Sequence, residues 1–96
     1  MPDVGGRLTV VHRRDCQLCD EMLGELAALA RRVPLPPLEV VDGDSDPQLQ
    51  RRHGLDVPVL LLDGSVVCRQ RLDPDELMRL LDSSLRERAK GAVRAP

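Results

Sequence analysis

Cysteines at positions 16 and 19, in the run Cys16-Gln17-Leu18-Cys19, can exchange a dithiol for a disulfide, and their setting in the chain favours that chemistry. A short hydrophobic strand pattern ends just before them and a helix pattern follows. A helix beginning at Cys16 leaves unpaired backbone N–H groups and the positive end of its dipole at the first sulfur, which favours thiolate over thiol. Arg13 and Arg14 push the same way, while the carboxylate of Asp15 opposes them. The spacing brings Cys19 about one helical turn along, near enough to attack a mixed disulfide on Cys16. Cys16 is then the nucleophile and Cys19 the resolving thiol.

The same spacing occurs in zinc sites, which need four ligands. Beyond the pair, only Cys68, His12 and His53 are candidates of the usual kind. A metal or iron–sulfur binder using Cys16 and Cys19, if necessary across a dimer, is therefore the alternative. A non-catalytic interaction module with incidental cysteines is the third reading. The redox reading needs no metal and no cofactor. Cys68 reads first as a small strand hydrophobe, His12 as a strand-end residue with a minor claim to general-base work, and His53 as a cation at a helix C-terminus.

Composition narrows the function classes. The formal net charge is −2 and the chain has no Phe, Tyr or Trp. It therefore lacks both the basic surplus and the stacking platforms of a nucleic-acid binder. No segment approaches the ~20 apolar residues of a membrane span, and the N-terminal residues carry no apolar signal core. Three cysteines, an odd count, suit a reducing, cytoplasmic compartment better than a secreted disulfide framework.

The elements that must position the pair follow in order. Leu8-Thr9-Val10-Val11-His12 reads as a buried strand. Leu18, Met22, Leu26, Leu29 and Val33 step by three or four residues along a helix, with Arg31-Arg32 late in it. Leu38-Glu39-Val40-Val41 is a second strand, and Pro47 opens a short helix that Gly54 ends. Val59–Leu62 and Ser65–Cys68 flank Asp63-Gly64, a type I′ hairpin signal. That turn sets Leu62 opposite Ser65, Leu61 opposite Val66, Leu60 opposite Val67 and Val59 opposite Cys68. Asp73-Pro74-Asp75-Glu76 is a capping box opening a last helix with Leu77, Leu80, Leu81 and Leu85 inward. The order is βαβαββα. Strands this apolar imply an α/β fold whose sheet is covered by helices on both faces. We expect a single domain over residues 1–96, with an ordered core at about 7–86 and a charged, Ala-rich tail that frays.

This order, with Cys-X-X-Cys at the first strand-to-helix turn and Val57-Pro58 opening the third strand, resembles the thioredoxin fold with its four-stranded mixed sheet. More narrowly, the chain is similar to small glutaredoxin-like bacterial proteins of that superfamily. The resemblance implies that Pro58 is cis and faces the redox cysteines, and that the backbone of Val57 binds extended substrates. Antiparallel pairing of the first and third strands would itself bring Pro58 beside the end of the first strand. The implied partners are protein or low-molecular-weight disulfides, with Arg13 or Arg14 meeting a carboxylate if glutathione is used. Two departures bear on this. Gln17-Leu18 replaces the family's Pro-Tyr pair, so the reduction potential is not inherited. Cys68-Arg69 stands where glutaredoxins have two glycines, so glutathione use is expected to be weak.

Overall fold

The computed structural model describes residues 6–54 and 56–93, with side chains as far as Glu87. The start at Met1–Gly5 and the end of the expected tail, Arg94–Pro96, lie outside the described residues. The elements are β1 (Leu8–His12), α1 (Gln17–Ala30), β2 (Leu38–Asp42), α2 (Pro47–His53), β3 (Val59–Leu62), β4 (Ser65–Arg69) and α3 (Pro74–Val93). They form an α/β fold of thioredoxin-like type. Its four-stranded mixed sheet has the order β2-β1-β3-β4. β1 is parallel to β2, with Val10 beside Val40, and antiparallel to β3, with Val11 beside Val59. The end of β1, the end of β2 and the start of β3 therefore share one edge of the molecule, where the cysteines lie.

The alternation along each central strand explains why both faces are buried. Leu8, Val10, Leu60 and Leu62 point to one face, where they meet Met22 and Leu26 from α1 and Leu77 and Leu81 from α3. Val11, Val59 and Leu61 point to the other and form a smaller cluster, with Val57 and Val66 packed against it. Burying each aliphatic side chain contributes roughly 1.5–3 kcal/mol, so the two inner strands carry much of the stability.

Local signals set the joints. Asp63 and Gly64 both take positive φ, 50° and 86°, the geometry a type I′ turn demands. Asp63 also ties β1 to this turn: its carboxylate accepts the Arg7 N–H at 2.9 Å, and its own N–H donates to the Arg7 carbonyl. Asp46 caps α2 by accepting the Gln48 N–H at 2.9 Å, with Pro47 in the first turn. Gly54 closes α2 with an ordinary right-handed φ of −55°. Its need for glycine is steric, because a Cβ there would lie 2.5 Å from the Gln50 carbonyl oxygen.

The structure departs from the sequence reading in five details. α1 stops at Ala30 with Arg31 as its cap, so Val33 and Arg32 lie beyond it; Pro34 bars its preceding residue from the helical region. Glu76 does not reach back to complete the capping box. Asp73 accepts the Glu76 N–H at 3.1 Å, but the Glu76 carboxylate takes a two-pronged contact from Arg79, which holds its carboxyl below the usual range. β2 is the sheet's edge, paired only with β1, and leaves Leu38 and Val40 over 40% exposed despite its apolar sequence. α3 runs on to Val93 as helix, since Leu85 to Lys90 are mostly good helix formers. Finally, the β3–β4 register holds for Leu62–Ser65 and Leu61–Val66 but then slips, pairing Leu60 with Cys68 and Val59 with Arg69. A β-bulge at Val67 adds the extra residue. It lets both Val67 and Cys68 join the α1/α3 face, whereas strict alternation would have sent Cys68 to the other one.

Candidate redox site

The redox pair sits where β1 hands over to α1. Arg13 to Asp15 make the turn, with Asp15 at φ 53°, a left-handed conformation that Asp tolerates better than most side chains. Cys16 is the N-cap of α1, with extended backbone, and its Sγ accepts the Cys19 N–H at 3.1 Å. One of the helix's orphan donors is thus aimed at the first sulfur, as the spacing suggested. Cys16 and Cys19 are joined as a disulfide with Cα atoms 5.2 Å apart. Cys16 is half-buried and Cys19 fully buried. Only the first sulfur is open to a reactant.

Pro58 lies at the start of β3, buried, after a cis Val57–Pro58 bond. The pairing of Val11 with Val59 sets this segment against the end of β1. The Pro58 carbonyl accepts the Gln70 N–H at 2.6 Å, with Gln70 itself at φ 66°. Val57 is half-buried, and among the described residues its backbone N–H and C=O have no hydrogen-bond partner.

Arg13 is exposed. Its guanidinium pairs with the Asp44 carboxylate at 3.3 Å and donates to the Gly54 carbonyl at 3.4 Å, tying the β1–α1 turn to the β2–α2 loop and to the end of α2. Arg14 is exposed. His12 ends β1 half-buried, and its carbonyl accepts the Gly43 N–H at 2.7 Å; among the described residues no hydrogen bond links its ring to either cysteine. His53 is half-buried with an enclosed, unpaired Nδ1. Arg69 pairs with Asp56 at 3.6 Å, both about half exposed. Cys68 is a free, half-buried thiol. Burial pushes its pKa up and the charges of Asp73 and Glu76 add to this, against a hydrogen bond from the Asp73 backbone. It stays protonated and packs as a small hydrophobe. No group of three or more His, Cys, Asp or Glu side chains is placed to hold a metal ion among the described residues, and no helix among them is long and apolar enough to cross a membrane.

Sequence reasoning missed Asp44, Gly54, Asp56 and Gln70. Parallel β1 and β2 bring their C-terminal loops together, so an Arg in one and an Asp in the other were a readable pair. Gln70 was not readable, because its contact with Pro58 depends on the bulge.

A disulfide-forming pair capping the first helix of a β-α-β unit on this four-stranded mixed sheet is the arrangement of a thioredoxin-fold protein of redox type. Residues 7–82 match the family described as Glutaredoxin-like domain (DUF836), and the chain belongs to that family. Solved structures agree. Protein Ne2328 from Nitrosomonas europaea is 31% identical, with a TM-score of 0.71 over 78% of this chain and 89% of that one. Target protein XcR50 from X. campestris is 35% identical, with a TM-score of 0.58 over 79% and 96% of the two chains. Desulfothioredoxin from Desulfovibrio vulgaris Hildenborough shares the fold at 24% identity, with a TM-score of 0.59 over 86% and 90%. No protein of curated function matches the chain.

Proposed function

We propose that this protein is a dithiol–disulfide oxidoreductase acting in a reducing, cytoplasmic compartment on protein or low-molecular-weight disulfides. In the reduced form the Cys16 thiolate attacks one sulfur of the substrate disulfide. The substrate S–S bond breaks, one substrate thiolate leaves and takes a proton, and a mixed disulfide forms on Cys16. Cys19, deprotonated, then attacks the Cys16 sulfur and expels the second substrate thiolate. Two electrons have passed to the substrate and the Cys16–Cys19 disulfide remains, to be reduced by a thiol or dithiol donor. The observation that carries this reading is the asymmetry of the pair: Cys16 is open and capped by a helix N–H, while Cys19 is buried behind it.

In this proposal the Val57 backbone, which has no partner among the described residues and is held by buried Pro58, pairs with an extended substrate segment. Arg14 supplies positive charge at the entrance, and Arg13 contributes mainly by holding the turn through Asp44 and Gly54. Glutathione is expected to serve poorly. Arg69 stands at the end of β4 paired with Asp56, and the neighbouring Gln70 N–H is already spent on Pro58. A backbone so occupied offers little to a γ-glutamyl group.

The test is alkylation of the reduced protein against pH, read by mass spectrometry. Cys16 should react first, with a midpoint below the free-cysteine value of about 8.5, and Cys19 slowly because it is buried. The sign follows from the helix start: donors and dipole stabilise the charged form, so reactivity persists to lower pH than in a free thiol. A Cys16 midpoint at or above the free value contradicts the assignment.

A further inference from the structure

The sheet has two edges, and they are built differently. β4 is interrupted by its bulge at Val67, a device that spoils an edge for further pairing. β2 is regular, paired with β1 from Leu38 to Asp42 without a break, and its inner charge, Glu39, lies on the face away from Leu38 and Val40. Those two side chains, 42% and 45% exposed, are the most exposed large hydrophobics among the described residues. The backbone of β2 is open as well. Leu8 donates its N–H to the Pro37 carbonyl and Gly43 donates its N–H to the His12 carbonyl, so the odd-numbered positions face β1. Leu38 and Val40 therefore turn their N–H and C=O groups outward, where among the described residues they have no partner. An apolar cleft of about 280 Å³ between α1 and β2, with Leu23, Ala27, Ala30 and Leu38 in its walls, extends the exposed surface.

We propose that β2 of a second copy of this chain adds antiparallel to this edge, about a two-fold axis at Val40. Val40 then exchanges both outward hydrogen bonds with its counterpart, and Leu38 stands opposite the partner's Asp42 at each end. Leu38 and Val40 of both copies share one face, so their apolar surfaces meet across the joint. Moving the axis to Glu39 would set two carboxylates opposite each other, and moving it to Val41 would leave Leu38 without a partner. Charge selects both the partner and the direction. At the start of β2 lie Arg31 and Arg32, exposed and in no ion pair among the described residues; Ala30 beside them shares the cleft with Leu38. At its end lie Asp42 and Asp46, in no ion pair either, and Asp44, held by Arg13. An antiparallel copy brings each basic end to an acidic one, whereas a parallel copy sets like charges together. The same patch serves both copies, as closed two-fold symmetry requires. Because β1 runs parallel to β2, the two redox pairs end at opposite edges of the joined sheet and both stay open.

Sedimentation equilibrium of the full chain, from low to high micromolar concentration, is expected to show a reversible dimer. Val40→Pro removes an outward N–H and leaves the bonds to β1 in place, so it should weaken the dimer at least about 30-fold. Val40→Lys keeps the backbone and sets two like charges at the axis, with an effect of about the same size. Arg31→Glu should weaken it about fivefold. Unchanged circular dichroism in each variant reports a native fold. The wild-type chain supplies a second reading by amide exchange. The Val40 N–H should be protected only at concentrations where the dimer forms, while the Val41 N–H, bonded to β1, is protected at every concentration. A monomer throughout, including one whose edge takes up a strand of a different protein, overturns the proposal. So does a dimer indifferent to both Val40 variants, or Val40 protection that does not change with concentration.

Discussion

Cys19→Ser is expected to accumulate a mixed disulfide on Cys16, while Cys16→Ser loses disulfide turnover by on the order of a thousandfold or more. The two cysteines are chemically alike, so the difference must come from where the fold puts them. Cys16 is the helix cap, and its sulfur already receives a backbone N–H from Cys19. Cys19 is inside the first turn and fully buried. A bulky disulfide reaches only the first sulfur. Once it is attached, the second sulfur is the near intramolecular attacker. Removing Cys19 leaves the first step intact and blocks the second, so the adduct persists; removing Cys16 leaves a buried thiol with no access. Non-reducing gels after incubation with a disulfide substrate read both outcomes, and equal adduct on Cys16→Ser would reverse the roles.

Leu60→Ala is expected to cost about 2–5 kcal/mol, the range for emptying a well-packed core site. Leu60 is fully buried on inner strand β3, in the cluster shared with α1 and α3. Against a total of roughly 5–15 kcal/mol for a domain of this kind, that is a large share. Val40→Ala, on exposed edge strand β2, should cost well under 1 kcal/mol. Denaturant midpoints with unchanged slopes measure both. A Leu60→Ala loss below that of Val40→Ala would mean the core has been placed on the wrong strand.

The parts legible in the sequence are those set by local chemistry. Asp63-Gly64 demands its turn, Pro47 and Pro74 mark helix starts, and the run from Leu8 to His12 has the composition of a strand. The redox pair was legible for the same reason, since its meaning depends on a strand before and a helix after. What was not legible depends on neighbours distant in sequence. The bulge at Val67 moves Cys68 to the other face through a choice between two registers that no local residue dictates. The exposure of Leu38 and Val40 follows from β2 being an edge, and an apolar run reads alike at an edge or a centre. The pairing of Arg13 with Asp44 lies between these cases, readable once β1 and β2 are taken as parallel, whereas its contact with the Gly54 carbonyl is near only in space. The family itself was readable from order and motif together, although no single piece was specific.

An equilibrium redox titration of the Cys16–Cys19 pair against a thiol–disulfide buffer, followed by mass after alkylation, decides whether the pair exchanges electrons. An exchanging dithiol is expected to titrate as one two-electron couple between about −270 and −120 mV, the range spanned by reductants and oxidants of this chemistry. A couple below about −300 mV would place the bond among structural disulfides. A pair that never closes in the buffer would leave Cys16 and Cys19 as incidental or metal-binding thiols, and either result would rule out a dithiol–disulfide oxidoreductase.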